Sequence, residues 1–148
     1  MNIINISLEN SNINIDISKL HFKFTSGKNI VFRGVSNWNK GFHFEDFCTK
    51  LEAFIDNKLV GQAGLEPGYE NDKPSDFGYI FGVSVNPKYQ GQNIGTNIMF
   101  EIEKYAKSIK MKQLFLRPAN DKVVKFYNKL GYKYYDTDQY GEIMYKDI

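Results

Sequence analysis

At 148 residues the chain has the length of one domain spanning 1–148, and its 42% hydrophobic and 24% charged residues are the proportions of a soluble globular protein with a sizeable core. Its 19 basic and 17 acidic residues leave a net charge of +2, too balanced for binding by bulk charge, so no nucleic-acid partner is expected. Cys48 is the sole cysteine, which excludes an intramolecular disulfide and a cysteine-built zinc site.

Residues 2–17 alternate isoleucine or leucine with Asn, Ser or Asp, a period of two that predicts half-buried strands with a turn at residues 9–12. The same stretch lacks the basic start and unbroken apolar core of a signal peptide, and no run approaches membrane-spanning length. A cytoplasmic protein without a membrane partner is expected. His21-Phe-Lys-Phe24 and Ile30-Val-Phe-Arg33 are two further alternating runs around the turn signal Thr25-Ser-Gly-Lys-Asn29, and Phe42-His-Phe-Glu-Asp-Phe47 could supply a short helix. His21 and His43 are the only histidines; His21 reads as a surface residue, and His43, between Phe42 and Phe44, could reach a cleft, although a structural reading is favoured.

Residues 51–65 read as a hairpin turning at Asp56-Asn57, a pair that suits positive φ. Residues 66–76 follow, with two prolines, a glycine and four acids against one lysine, and predict an exposed, mobile loop able to attract a cationic amine. Ile80, Phe81, Val83 and Val85 then form a strand that Pro87 ends. From Ile94 apolar residues recur at helical spacing through Ile98, Met99, Ile102, Tyr105, Ala106 and Ile109, with Asn97, Glu101, Glu103 and three lysines on the other face. Residues 111–117 give another strand, and two strands joined by a helix of this length form a parallel βαβ crossover. Asn120 is a good N-cap for a second helix that stops at Gly131. Residues 132–136 and 142–146 finish the chain as strands.

Between the Val83 strand and the long helix lies Gln90-Gly-Gln-Asn-Ile-Gly95. Two glycines leave its amides uncovered, and uncovered amides at the positive end of a helix bind phosphate. A P-loop would need a lysine where Thr96 stands, and the spacing of a dinucleotide fingerprint fails.

Val85-Asn-Pro-Lys-Tyr-Gln90 followed by Gln90-Gly-Gln-Asn93-Ile-Gly95 resembles the acyl-CoA motif of the GNAT N-acetyltransferase superfamily, V-x-P-x-Y-[QR] and then [QR]-x-x-G-x-[GA]. Asn93 stands where the family has its first motif glycine, and asparagine tolerates left-handed backbone better than most residues. Asn120, with Tyr127 seven residues on inside Phe126-Tyr-Asn-Lys-Leu-Gly-Tyr132, resembles the second signature, N-x(6)-Y within F-Y-x-K-L-G-[FY]. The resemblance covers about residues 51–148. It implies an α/β GNAT-type fold, a mixed twisted sheet with helices on both faces, and transfer of an acetyl group from the co-substrate acetyl-CoA to a primary amine of a small molecule or peptide by direct attack.

The resemblance also implies roles. The main chain of Val83, Ser84 and Val85 binds pantetheine and polarises the thioester carbonyl. Amides of the loop Gln90, Gly91, Gln92, Asn93, Ile94, Gly95 and Thr96 hold the pyrophosphate, Asn120 meets the pantetheine arm or orders its loop, and Tyr127 gives a proton to the leaving thiolate. Where some members keep a glutamate base, this chain has Tyr79 and Phe115, which leaves Asp76, Glu66 or Glu142 as bases acting through water. Lys88, Lys122 and Lys125 are candidates for the 3′-phosphate. A homodimer remains open. The alternative is a non-catalytic acyl-CoA-binding module of the same fold; a third, an acetyltransferase toxin acting on aminoacyl-tRNA, is made less attractive by the acidic segment at residues 66–76.

Overall fold

The computed structural model describes residues 15–148, so most of the stretch expected as strands over residues 2–17 lies outside the described residues; its described end is not a strand, because Asp16 caps a 3-10 turn at Ile17–Lys19. In chain order come β1 (His21–Gly27), β2 (Ile30–Arg33), β3 (Gly41–Phe44), β4 (Cys48–Ile55), β5 (Lys58–Glu70), β6 (Lys73–Val85), α1 (Ile94–Ser108), β7 (Gln113–Leu116), α2 (Asp121–Lys129), β8 (Lys133–Asp138) and β9 (Gly141–Asp147). Seven strands hydrogen-bond in the order β1-β4-β5-β6-β7-β9-β8, and β2 with β3 forms a separate ribbon. The pair β6 and β7, joined through α1, is parallel, whereas β1 with β4 and β9 with β7 and β8 are antiparallel. This is the mixed α/β sheet expected from the sequence. Among the described residues no helix is long and apolar enough to cross a membrane.

The framework divides into two compact units, one running to Gly64 and taking in Gly82–Glu101, the other comprising Leu65–Phe81 and Ile102–Ile148.

In the first unit, β4 buries alternate residues Leu51, Ala53 and Ile55, and Asp56 and Asn57 at φ 50 and 64 turn the chain into β5. That is the two-residue turn whose positive φ values their side chains suit. Ile94 and Ile98 of α1 are fully buried over β5, and Gly61 makes room for them: a Cβ there would come within 2.5 Å of Ile98 Cδ1. Phe32 of β2 stacks on Phe42 of β3 at 5.2 Å, which gives the small ribbon its own apolar seam.

Gln62 of β5 joins that ribbon to the sheet. It is 1% exposed, its Oε1 accepts from Arg33 N at 2.8 Å, and its Nε2 donates to Arg33 O at 2.8 Å and to Gly82 O at 3.0 Å. A side-chain amide here pairs with the edge of β2 as another strand would, since it offers one donor and one acceptor side by side.

In the second unit, residues 66–76 are not the loop expected. They continue β5 and open β6 as a long hairpin that turns at Asn71 and Asp72, φ 51 and 61. Pro67 and Pro74 stand one in each arm, and Gly68 of β5 packs directly under the ring of Phe77 of β6. Four acids signalled a loop, but an Asn-Asp pair supplies the left-handed backbone of a two-residue turn, and the chain needs no more than that.

Two other expectations are corrected. The segment from Phe42 forms the strand β3 rather than a helix, because Ile30–Arg33 pairs with it residue for residue. Glu103, assigned to the polar face of α1, is 7% exposed: its Oε1 accepts from Lys146 Nζ at 2.8 Å and its Oε2 from the Tyr132 hydroxyl at 3.0 Å. It sits four residues after Met99 and three before Ala106, on the inward stripe, and a buried carboxylate is tolerable when each oxygen has a donor.

Replacing Gln62 with leucine keeps the volume but leaves three main-chain groups without partners. We expect a loss of about 3 kcal/mol in urea unfolding, from the usual cost of orphaned buried hydrogen-bonding groups. A loss below about 1 kcal/mol would show that the ribbon does not depend on it.

Candidate active site

In the first unit the site residues follow one another along the chain. The register of β6 with β7 ends at Ile80↔Leu116, and β6 continues five residues to Val85. Gly82, at φ 62, breaks the regular pleat between the two stretches. Ser84 turns its side chain away: it is buried and its Oγ donates to Gly34 O at 3.3 Å.

After Val85 the side chain of Asn86 caps a short 3-10 turn, Pro87–Tyr89. Gln90 Nε2 donates back to Val85 O at 3.1 Å, and Gln92 Oε1 accepts from Ile15 N at 2.9 Å. Both glutamine side chains brace the loop. Gly91 has φ 80 and Asn93 has φ 66, so asparagine holds the left-handed conformation expected of the motif glycine. Its carbonyl accepts from both Asn97 N, at 3.1 Å, and Asn97 Nδ2, at 2.8 Å, and this double bond to the first turn of α1 fixes the residue.

The result is a crown of open donors. The N–H groups of Gly91, Asn93, Ile94, Gly95 and Thr96 have no acceptor among the described residues. With the positive end of α1 behind them they form a seat for an anion such as pyrophosphate. Sequence reading named this loop but missed Asn97, whose signal is its position four residues after Asn93.

In the second unit, Asn120 is extended at φ −164 and its Oδ1 accepts from Lys122 N at 3.0 Å and Val123 N at 3.2 Å. Its oxygen is committed to capping α2, and its NH2 is left as the group able to meet a ligand. Seven residues on, about two helical turns, Tyr127 lies on the same side of α2. The helix closes with Tyr132 N donating to Tyr127 O and Gly131 N to Asn128 O, both at 3.0 Å, with Gly131 at φ 98. This reciprocal stop folds Tyr132 back so that its ring meets that of Tyr127 edge-on at 5.9 Å.

Tyr127 is 8% exposed, and its hydroxyl makes no hydrogen bond among the described residues. Burial pushes its pKa up to about 12, because the phenolate would be poorly solvated there. Tyr132 is raised further by burial and by the neighbouring Glu103 carboxylate. Of the three carboxylates considered as bases, Glu66 lines a cavity of about 280 Å³ in this unit, and Asp76 and Glu142 are not among its walls. His21 stacks on Phe54 and His43 Nε2 lies 3.2 Å from Asn29 O; both are exposed, and neither enters the site. Among the described residues no group of three His, Cys, Asp or Glu could hold a metal ion.

The model of the acetyltransferase (GNAT) family matches residues 20–132. One curated relative, the N-terminal acetyltransferase B complex catalytic subunit NAA20 of Arabidopsis thaliana, is 26% identical over 149 residues, covering 93% of this chain and 78% of its own. Among solved structures, the PaiA N-acetyltransferase of Thermoplasma acidophilum in complex with coenzyme A is 28% identical with a TM-score of 0.58. That match takes in 67% of this chain but 60% of the other, so the chain spans less than two thirds of that protein's length. The ribosomal-protein-S18-alanine N-acetyltransferase of Escherichia coli, 18% identical over 68% of this chain and 69% of its own, shares the fold at a TM-score of 0.56.

The conformation of Asn93 gives a direct test of the loop. Asn93→Gly should leave thermal stability nearly unchanged, whereas Asn93→Ala should cost about 1 kcal/mol, the penalty for a Cβ in left-handed backbone without a local hydrogen-bonding side chain. Equal melting temperatures for the two variants would mean that φ at this position is not constrained.

Proposed function

The chain belongs to the acetyltransferase (GNAT) family and is an acetyl-CoA-dependent N-acetyltransferase, and we propose that the residues described above divide the work of moving the acetyl group to a primary amine of a small molecule or peptide in the cytoplasm. The observation that carries this reading is the set of open N–H donors of Gly91, Asn93, Ile94, Gly95 and Thr96 among the described residues. They hold the pyrophosphate of the co-substrate, and Lys88, Lys122 and Lys125 remain candidates for its 3′-phosphate. The main chain of Val83, Ser84 and Val85 holds pantetheine as an added strand and donates to the thioester carbonyl oxygen as it gains charge. Asn120 offers its NH2 to the pantetheine arm.

Tyr127 supplies the proton that the thiolate needs on leaving. A phenol whose pKa is raised to about 12 is protonated at neutral pH, so the acid is present in its active form throughout the physiological range. Loss of activity from its deprotonation should appear only as the pH approaches that value. The alternative of a non-catalytic module rested on Asn93 and on the absence of a base carboxylate at Tyr79 and Phe115; the first point loses force with Asn93 at φ 66.

Tyr127→Phe should lower kcat by roughly 100-fold, the usual worth of a positioned general acid, while the Kd for acetyl-CoA by calorimetry stays within about twofold. Unchanged kcat with weakened acetyl-CoA binding would make Tyr127 a binding residue and remove it from the chemistry.

A further inference from the structure

The Tyr127 hydroxyl has no hydrogen-bond partner among the described residues, so its place is set by what holds the ring and the main chain. Tyr132 touches both. Its N–H donates to Tyr127 O at 3.0 Å, and its ring meets the Tyr127 ring edge-on, at 5.9 Å between centroids and 69° between planes. Phe126, also against the Tyr127 ring, is its neighbour in the chain and moves with α2. Tyr132 lies beyond the end of α2 and can register that end against other elements of the unit.

Two charges from those elements fix Tyr132 in turn. It is 1% exposed, and its hydroxyl donates to Oε2 of Glu103, on α1, at 3.0 Å. Oε1 of Glu103 accepts from Nζ of Lys146, on β9, at 2.8 Å, and the same Nζ lies 5.6 Å from the centroid of the Tyr132 ring. The carboxylate thus holds the hydroxyl while the ammonium rests over the ring. Gly131 lets the lysine pass: a Cβ there would lie 3.2 Å from Lys146 Cε, in a backbone whose φ of 98 already disfavours a side chain. Glu103, Tyr127, Gly131, Tyr132 and Lys146 all belong to the second unit.

Stability alone does not account for a charged pair at this depth. Taking a carboxylate and an ammonium out of water costs about as much as their attraction returns, and apolar residues of similar volume often serve as well or better. Directed hydrogen bonds add a single arrangement: a hydroxyl tied to one oxygen of a carboxylate whose other oxygen is tied to a strand has one place to sit. A proton donor needs that definition, since a displacement of about 1 Å can cost roughly 100-fold in rate.

We propose that Glu103 and Lys146 are positioning residues, which hold Tyr127 through Tyr132 where it can protonate the leaving thiolate. The inference rests on the acid role given to Tyr127 above.

The test uses hydroxylamine as the acceptor, because it is small and largely neutral at neutral pH and so needs neither a shaped seat nor a base. Its nitrogen attacks the acetyl carbon and the C–S bond breaks. The thiolate takes the Tyr127 proton, the excess proton on nitrogen returns to Tyr127 through solvent, and the products are a hydroxamic acid and CoA. Replacing Glu103→Leu, Tyr132→Phe and Lys146→Met together leaves no orphaned charge, so the melting temperature should stay within about 5 °C of wild type. Thiol release should nevertheless slow by at least roughly tenfold, while the Kd for acetyl-CoA by calorimetry stays within about twofold. In a Tyr127→Phe background the same three changes should cost less than about twofold, because no donor is left to position. Tyr132→Phe alone should show the same pattern in smaller measure, which preserves the test if the triple variant folds poorly. A triple variant as fast as wild type, or a loss that multiplies with that of Tyr127→Phe, would overturn the proposal. If Tyr127→Phe itself releases thiol at the wild-type rate, the acid role beneath the proposal is overturned instead.

Discussion

The pairing of a buried glutamine with the edge of a strand underlies the first half of this molecule. Gln62 stands in a run of small and apolar residues on β5, and it meets both main-chain groups of Arg33 as well as the carbonyl of Gly82. A buried primary amide is tolerable only when its donors and acceptor are met, and here each end has a partner. Through Gly82 the same side chain fixes β6 at the residue where its backbone turns to positive φ, immediately before the stretch proposed to meet pantetheine. The position of Val83–Val85 therefore follows from a polar contact rather than from apolar packing alone.

The chemistry needs donors left over and the fold needs donors used up, and the loop at residues 90–96 meets both demands by separating side chain from main chain. Gln90, Gln92 and Asn97 spend their side chains on bracing, to Val85, Ile15 and Asn93 respectively. Among the described residues the amides of Gly91, Asn93, Ile94, Gly95 and Thr96 stay open. On α2 the split is made within one residue: Asn120 uses its oxygen to cap the helix and keeps its NH2. Tyr127 shows the complementary arrangement, a ring buried among Phe126 and Tyr132 with a hydroxyl that no described residue claims.

Where the sequence was legible, the signal was local. The strand ended by Pro87, the helix opened at Ile94, the cap at Asn120 and the stop at Gly131 are written within a few residues of where they act, and each is found there. What could not be read depended on distant partners. Glu103 looks like a solvated residue until Lys146 and Tyr132 arrive from more than twenty-five residues away. Residues 66–76 look like a loop by composition because prolines and acids are counted, whereas their pairing is decided by the turn at Asn71 and Asp72 and by the fit of Gly68 under Phe77. Gln62 gives no local sign at all beyond being polar in an apolar run, and the cavity beside Glu66 required the register of β6 and β7 to be known.

Seven non-glycine residues among those described have positive φ, and six of them are asparagine or aspartate: Asn29, Asp56, Asn57, Asn71, Asp72 and Asn93. A glycine at these places would reach the same conformation from a much broader unfolded ensemble. By using side chains that accept left-handed backbone without that breadth, the chain forms its hairpins and the loop at residues 90–96 at a smaller loss of conformational entropy. The same choice stiffens the loop in the folded state, so Asn93 exchanges the pliability of a glycine hinge for a seat already shaped before any ligand enters.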